Sequence, residues 1–471
     1  MKTWLQRLFD VRRDEVLPVC LAVLFFFCVL VALMILRPAR EALGLRGGID
    51  AVRWLFMGTA LAALLVNPLF GWLVSRLPRL QFITATYAFF ACSLVGFHLL
   101  LVLTPEAVGV VSGQVFYVWF SVFNLFATMV FWALMADRFT LEQGKRFFGL
   151  IAVGGTLGAI AGPWLAARLA APLGTPALLL VSAGFLTAGL AAAWGIARVG
   201  APRSAPLAAA TGRGAALPGE GVRGEEVRGE RALADDARAP IGGSAWAGVR
   251  AVFASRYLLG MAAYVVILAV MATFLYFTRL QMVAELGDDL DLRTTMFARI
   301  DLITQLATLL LQALVAGRLM QRVGVPLTLA LLPLTTALGF VGLALVGSLA
   351  ALVAFEAAFR AVQRALMRPA RETLFTVLPR EDKYKAKAFI DTFVYRGGDV
   401  IGAQLEGLLG RLGMGLAALA SVALPLALLW AALALWLGRT QQRMAAAAAA
   451  AAAPARAAQD APRHDPHGQV R

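Results

Sequence analysis

The sequence predicts an all-α membrane protein, with twelve transmembrane helices arranged as two six-helix bundles. Three observations predict it. Of the 471 residues, 60% are hydrophobic, well above what soluble domains carry. The apolar residues gather into about twelve runs, each long enough to cross a ~30 Å hydrocarbon layer as a helix. The second six runs repeat features of the first six, and a polar stretch separates the sets.

Taken in order, the first fifteen residues are charged and amphipathic and lack the apolar core and cleavage site of a signal peptide. The first span is therefore expected to stay in the membrane. The first six spans are expected at 16–36, 54–73, 82–103, 108–136, 147–170 and 176–197, with the first helix running on into Arg37–Leu43. The second six are expected at 257–278, 295–316, 326–346, 349–367, 388–409 and 414–437. These define an N-terminal bundle over 1–199 and a C-terminal bundle over 246–438.

Between them, 200–245 is rich in Ala, Gly, Pro and Arg, as in GVRGEEVRGERALADD. Its charges nearly cancel and it has too few large apolar side chains to bury a core, so it reads as a disordered linker. Trp246, Val249, Phe253 and Arg256 then suggest a short amphipathic helix at the membrane surface. From 439 to 471 an alanine run and the segment APRHDPHGQVR read as a frayed helix end and a disordered tail.

The basic residues behind the formal net charge of +15 sit mainly in short loops between apolar runs, which fits topology-setting charge and not nucleic-acid binding. Arg76, Arg79, Arg138, Lys145, Arg146, Arg318, Arg322, Lys383, Lys385 and Lys387 fall on one side. The acidic run Glu285, Asp288, Asp289 and Asp291 falls on the other, so both termini and the linker are expected in the cytoplasm. Cys20, Cys28 and Cys92 lie in apolar runs, and His98, His464 and His467 form no ligand set, so no metal, cofactor or disulfide is expected. Without a P-loop or a G-x-S-x-G turn, an enzyme is not expected.

The tenth span breaks the apolar rule. It carries Glu356, Arg360, Gln363, Arg364, Arg368, Arg371 and Glu372. Steps of four residues form a slowly drifting stripe on a helix, and each ionised group facing lipid would cost about 2.5–3.5 kcal/mol. The stripe must face protein, water or a ligand. Arg37-Pro-Ala-Arg-Glu41 ends the first span, and the same five residues recur as Arg368-Pro-Ala-Arg-Glu372. The eleventh span adds Arg396 with Asp399 three residues on, close enough to neutralise it, and its glycines suit close helix packing. Span eight contributes Asp301 and Gln305, and span seven Tyr276 and Arg279.

Buried cations outnumber buried anions, and guanidinium forks suit carboxylates and phosphates. Arg37, Arg40, Tyr276, Arg360, Arg364 and Arg396 are therefore the candidate substrate-binding residues. Glu41, Asp301, Glu356, Arg368, Arg371, Glu372 and Asp399 are the candidate gating or charge-pairing residues. A buried ion pair with Glu356 that merely fixes the helix stands as the alternative reading of Arg360 and Arg364.

The halves repeat each other. Gly71-Trp-Leu-Val-Ser-Arg76 is echoed by Gly317-Arg-Leu-Met-Gln-Arg322, and Ala133-Leu-Met135 by Ala365-Leu-Met367. A parallel duplication of six spans is the architecture of a rocking transporter with its site between the halves. The G-x-L-x-x-R loops resemble the loop motif of the major facilitator superfamily, with Ser75 in place of its usual acidic residue.

A narrower resemblance rests on Leu36-Arg-Pro-Ala-Arg-Glu41, on Phe131-Trp-Ala-Leu-Met-Ala-Asp137 with Gly144-Lys-Arg-Phe-Phe148, on Ser255-Arg-Tyr257 and on Lys383-Tyr-Lys-Ala-Lys-Ala-Phe-Ile-Asp391. These strings resemble the ATP/ADP carriers of plastids and intracellular bacteria, and their bacterial relatives. The resemblance implies nucleotide counter-exchange through twelve helices by alternating access. Carried over, the family's embedded lysines fall on Arg40 and near Arg396, while its embedded carboxylates fall near Phe120 or Ser121 and on Tyr276.

The expected function is a secondary transporter of a small organic anion, a nucleotide or other phosphorylated metabolite, in a bacterial inner membrane. Its oligomeric state is open, with a monomer as the simplest expectation. Two alternatives stand beside it: a proton-coupled exporter of amphiphiles, and a non-transporting sensor or assembly protein on a transporter fold.

Overall fold

Long apolar runs become long helices because a backbone inside hydrocarbon must satisfy its own hydrogen bonds. The computed structural model describes residues 15–76, 78–199, 247–413 and 415–459. The first half contains α1 (Val16–Leu45), α2 (Ile49–Arg76), α3 (Arg79–Leu103), α4 (Glu106–Arg138), α5 (Leu141–Leu173) and α6 (Thr175–Arg198). The second contains α7 (Ala247–Ala254), α8 (Arg256–Ala284), α9 (Leu290–Leu311) and α10 (Gly317–Val346), the last two joined by a π turn at Gln312–Ala316. It continues with α11 (Leu349–Val362), α12 (Arg368–Leu374), α13 (Arg380–Phe389), α14 (Tyr395–Arg411) and α15 (Leu416–Gln459).

Among the described residues, ten helices are long and apolar enough to cross a membrane. The two further spans expected from sequence are the helical runs 349–374 and 380–411. Each carries internal charges and a π turn, at Gln363–Met367 and Ile390–Val394. They therefore stand apart from the ten. A π turn makes i→i+5 hydrogen bonds, which resets the face on which later side chains emerge.

The short helix expected near Trp246 is α7, which packs on α13: a Cβ at Gly248 would lie 2.6 Å from the Lys385 carbonyl oxygen. The linker 200–245 lies outside the described residues. At the other terminus α15 runs to Gln459, where the sequence reading has a disordered tail from 439. Alanine has the highest intrinsic helix propensity, and the run extends the preceding helix without a new nucleus.

One apolar cluster joins α1 and α3–α6 through Phe25, Phe90, Phe131 and Ile196, and a second joins α8, α10, α11 and α15 through Tyr264, Phe355 and Trp430. A smaller one, with Ala42, Tyr117, Tyr276, Phe297 and Ala403, bridges the halves. Glycines permit the closest contacts. A Cβ at Gly154 or Gly158 would lie 2.5 Å from the Val23 or Phe27 carbonyl oxygen, so α5 rests directly on α1. Gly398 and Gly402 do the same for α14 against α8, at 2.7 Å from Ala269 Cβ and 2.9 Å from Thr273 Cβ.

The polar links between the halves gather at one end and in the middle of the molecule. Thr175 N donates to Asp291 Oδ1 at 2.6 Å, Thr175 and Thr294 hydroxyls lie 2.8 Å apart, and Arg53 Nη2 meets Glu406 Oε2 at 2.8 Å. At the opposite end the ion pairs Arg146–Glu15 and Arg371–Asp391, both 3.0 Å, each stay within one half. A cavity lies between the halves, behind the linked end.

Candidate functional site: an arginine-lined central cavity

The cavity has a volume of about 600 Å³. Its wall includes Arg37 and Arg40 from α1, Arg360 from α11, Arg364 from the π turn, Arg368 from α12 and Arg396 from α14. Against these six guanidinium groups it presents two carboxylates, Glu41 and Asp399. Phe56, Phe120, Tyr276 and Tyr395 supply aromatic faces, and Thr59, Ser121, Asn124 and Gln305 supply neutral polar groups.

On α1, Arg40 follows Arg37 at i+3, so both emerge on one face even though Pro38 lies between them inside the helix. The Arg40 guanidinium stacks 3.6 Å above the Tyr117 ring, and its Nη1 donates to Glu41 Oε1 at 3.1 Å. The other Glu41 oxygen accepts from the Tyr276 hydroxyl, which is 2.8 Å from the Tyr117 hydroxyl. A cation, a carboxylate and two phenols from α1, α4 and α8 thus form one hydrogen-bonded chain at the closed end of the cavity.

Behind the wall lies Arg279, fully buried. Its Nη1 is 3.0 Å from Asp301 Oδ1 and 3.1 Å from Glu356 Oε1, and its Nη2 is 4.0 Å from Glu41 Oε1. Ionised groups this deep require partners of opposite sign, and here the three acids share one guanidinium.

Nine of the thirteen candidate residues border the cavity: Arg37, Arg40, Glu41, Tyr276, Arg360, Arg364, Arg368, Arg396 and Asp399. Asp301 and Glu356 sit behind it as partners of Arg279. Arg371 and Glu372 border an adjoining cavity of about 430 Å³ together with Asp391, which shares Arg368, Tyr395 and Arg396 with the central one. There Arg371 pairs with Asp391 and Glu372 with Lys387. Of the second Arg-Pro-Ala-Arg-Glu segment, only Arg368 reaches the central cavity, because charges on α13 and the π turn after it hold the other two aside.

Of the alternative pairing of Glu356 with Arg360 and Arg364, the ion pair with Arg360 is present and the one with Arg364 is not. Arg279 is the nearest cation to Glu356, Arg360 stands 3.7 Å away, and Arg364 donates to Gln305 of α9. Arg364 stands eight residues from Glu356, roughly 12 Å along the helix axis, too far for a direct pair. Asp399 pairs with Arg396 at 3.3 Å, as their three-residue spacing predicts.

Sequence reasoning left Arg279 and the Arg53–Glu406 pair out of the candidate set. An arginine within the apolar run FLYFTRLQMV is the signal that points to Arg279. Arg53 carries no such signal, since it reads as a loop charge until Glu406 is brought to it.

No protein-family profile and no curated protein matches this sequence. Solved structures do match its fold. The nucleoside transporter NupG superposes with a TM-score of 0.55 at 14% identity, over 92% of this chain and 99% of its own. A POT family transporter in complex with 5-aminolevulinic acid gives 0.57 at 13%, over 89% and 96%. A D-xylose-proton symporter gives 0.55 at 14%, over 88% and 96%. The all-helical, multi-pass architecture is thus the fold that these solved structures share.

Proposed function

We propose that this protein is a secondary transporter that carries a multiply charged organic anion by alternating access. The observation that carries the reading is the convergence of six arginines and only two carboxylates on one cavity between the halves. Such an excess of cation in a membrane interior is costly unless an anion completes it. The solved structures of similar fold include a nucleoside transporter, a D-xylose-proton symporter and a POT family transporter in complex with 5-aminolevulinic acid, which is consistent with transport.

The aromatic faces of Phe56, Phe120 and Tyr276 beside Ser121 and Asn124 suit a planar group, and the arginines suit phosphate or carboxylate. A nucleotide or another phosphorylated metabolite fits both, in keeping with the resemblance to the ATP/ADP carriers. The roles follow from position. Arg37, Arg40, Arg360, Arg364 and Arg396 hold the anion and Tyr276 lines it, while Glu41, Asp399 and Arg368 pair with charges at its edge. Residues 1–199 and 246–438 act as the two rocking bundles, joined by the 200–245 linker. The protein sits as a monomer in a bacterial inner membrane with both termini in the cytoplasm, which makes the observed state closed to the outside.

The test is thermal stability of detergent-purified protein against nucleotides, phosphorylated sugars, dicarboxylates and cationic amphiphiles. A ligand that binds only the folded state raises the melting temperature by mass action. Stabilisation by phosphorylated anions, followed by their uptake into liposomes, supports the reading. Stabilisation by cationic amphiphiles alone rejects it.

A further inference from the structure

Arg279 is 0% exposed and lies behind the cavity wall, yet its two nearest partners are the acids that stand behind two of the cavity's arginines. Its Nη1 is 3.0 Å from Asp301 and 3.1 Å from Glu356. The cavity arginines stand farther from the same acids: Arg37 Nε is 3.5 Å from Asp301 Oδ2, and Arg360 Nε is 3.7 Å from Glu356 Oε1. Neither of these longer contacts is a hydrogen bond. Arg360 Nε, Asp301 Oδ2 and Glu356 Oε2 are buried atoms without a hydrogen-bond partner, and the Arg360 guanidinium donates instead to Gln363 Oε1 at 3.4 Å. Close, charge-assisted bonds are the strong ones, so each acid is held chiefly from behind.

We infer that Arg279 is a positioning residue: by occupying Asp301 and Glu356 from inside the protein, it keeps Arg37 and Arg360 available to an anion in the cavity. The inference rests on the anion-carrier reading above. Lysine could not take this place, because one ammonium lacks the planar fork that reaches two carboxylates on different helices. With Arg279 gone, the cations still ion-paired with the two acids among the described residues are Arg37 and Arg360. Asp301 and Glu356 would capture them, and the cavity would lose two anion-binding groups although every residue on its wall is unchanged.

A purely structural role predicts lost stability with unchanged affinity per folded molecule. A positioning role predicts lost affinity that returns when the acids are removed. The experiment compares full-length wild type, Arg279→Gln, and the triple variant Arg279→Gln/Asp301→Asn/Glu356→Gln, with tripolyphosphate as the probe in calorimetry. By analogy with residues that orient metal ligands from the outer shell, Arg279→Gln should weaken binding about tenfold or more. The triple variant should bind at least as tightly as wild type. Wild-type affinity in the single variant, or a triple variant as weak as the single, overturns the inference.

If Arg279→Gln does not fold, the pair Arg279→Gln/Glu356→Gln keeps the net charge of the buried cluster. Phenylglyoxal labelling of arginines, mapped by peptide mass spectrometry, then needs no ligand. Labelling of Arg37 should fall, because Asp301 captures it, and labelling of Arg360 should rise. Unchanged labelling at both sites overturns the inference. A wild-type protein that does not bind tripolyphosphate counts against the anion reading, while the labelling still decides the role of Arg279.

Discussion

Arg53 on α2 donates to one oxygen of Glu406 on α14 through both Nε and Nη2, at 3.0 and 2.8 Å. The second Glu406 oxygen accepts from Gln281 of α8 at 2.6 Å. A single carboxylate therefore ties the first half to two helices of the second at the closed end, with Glu406 only 4% exposed.

Arg53→Ala should open this end, because a buried pair that loses one partner costs about 3–5 kcal/mol. Glu406→Gln, which leaves no bare charge, should open it less. Spin-label distances between α2 and α14 would measure the effect. Distances that stay at wild-type values in Arg53→Ala would remove the pair from the closed-end latch.

The cavity arginines Arg360 and Arg396 should each contribute to anion binding. Hydrogen bonds to charged groups are worth about 1.5–3 kcal/mol, so Arg360→Gln or Arg396→Gln should each weaken anion binding roughly ten- to hundredfold. The two together should abolish uptake into liposomes at normal protein abundance. Uptake that persists in the double variant would falsify the assignment of the cavity as the anion site.

Across the closed end, Asp291 of α9 caps the first turn of α6: the helix has Gly174 at its own N-cap, and Thr175 N donates to Asp291 Oδ1. Asp291→Ala should cost about 1 kcal/mol, the usual worth of such a cap, and Asp291→Asn much less. Cysteine accessibility at 174–176 would report the loss. Equal accessibility in both variants would mean that the cap does not hold the halves together.

Packing between α1 and α5 makes a separate stability prediction. Gly158→Ala places a Cβ 2.5 Å from the Phe27 carbonyl oxygen and should destabilise by about 1–3 kcal/mol through overpacking. Gly149 has nothing within 4 Å of its Cβ position, so Gly149→Ala should be neutral or stabilising by up to about 1 kcal/mol. Melting curves of the two variants that coincide would contradict the close α1–α5 contact.

Much of this protein was decided by the order of its residues. The apolar runs set the membrane helices, since hydrocarbon admits few other structures. Arg40, Arg360, Arg364 and Arg396 announced a polar interior because charge is too costly to leave facing lipid. The pairing of Arg396 with Asp399 was also legible, being a matter of helical spacing within one element. What only the tertiary structure decided are the contacts between elements far apart in sequence. Arg53 meets Glu406 across 353 residues, and nothing in either neighbourhood names the other. Arg371 meets Asp391 and Arg364 meets Gln305 across elements, partners that the helical stripe, which does place Arg360 beside Glu356, cannot name. The choice of Arg279 over Arg360 as the main partner of Glu356 depends on differences of less than an ångström, which the packing of α8, α9 and α11 sets and periodicity does not.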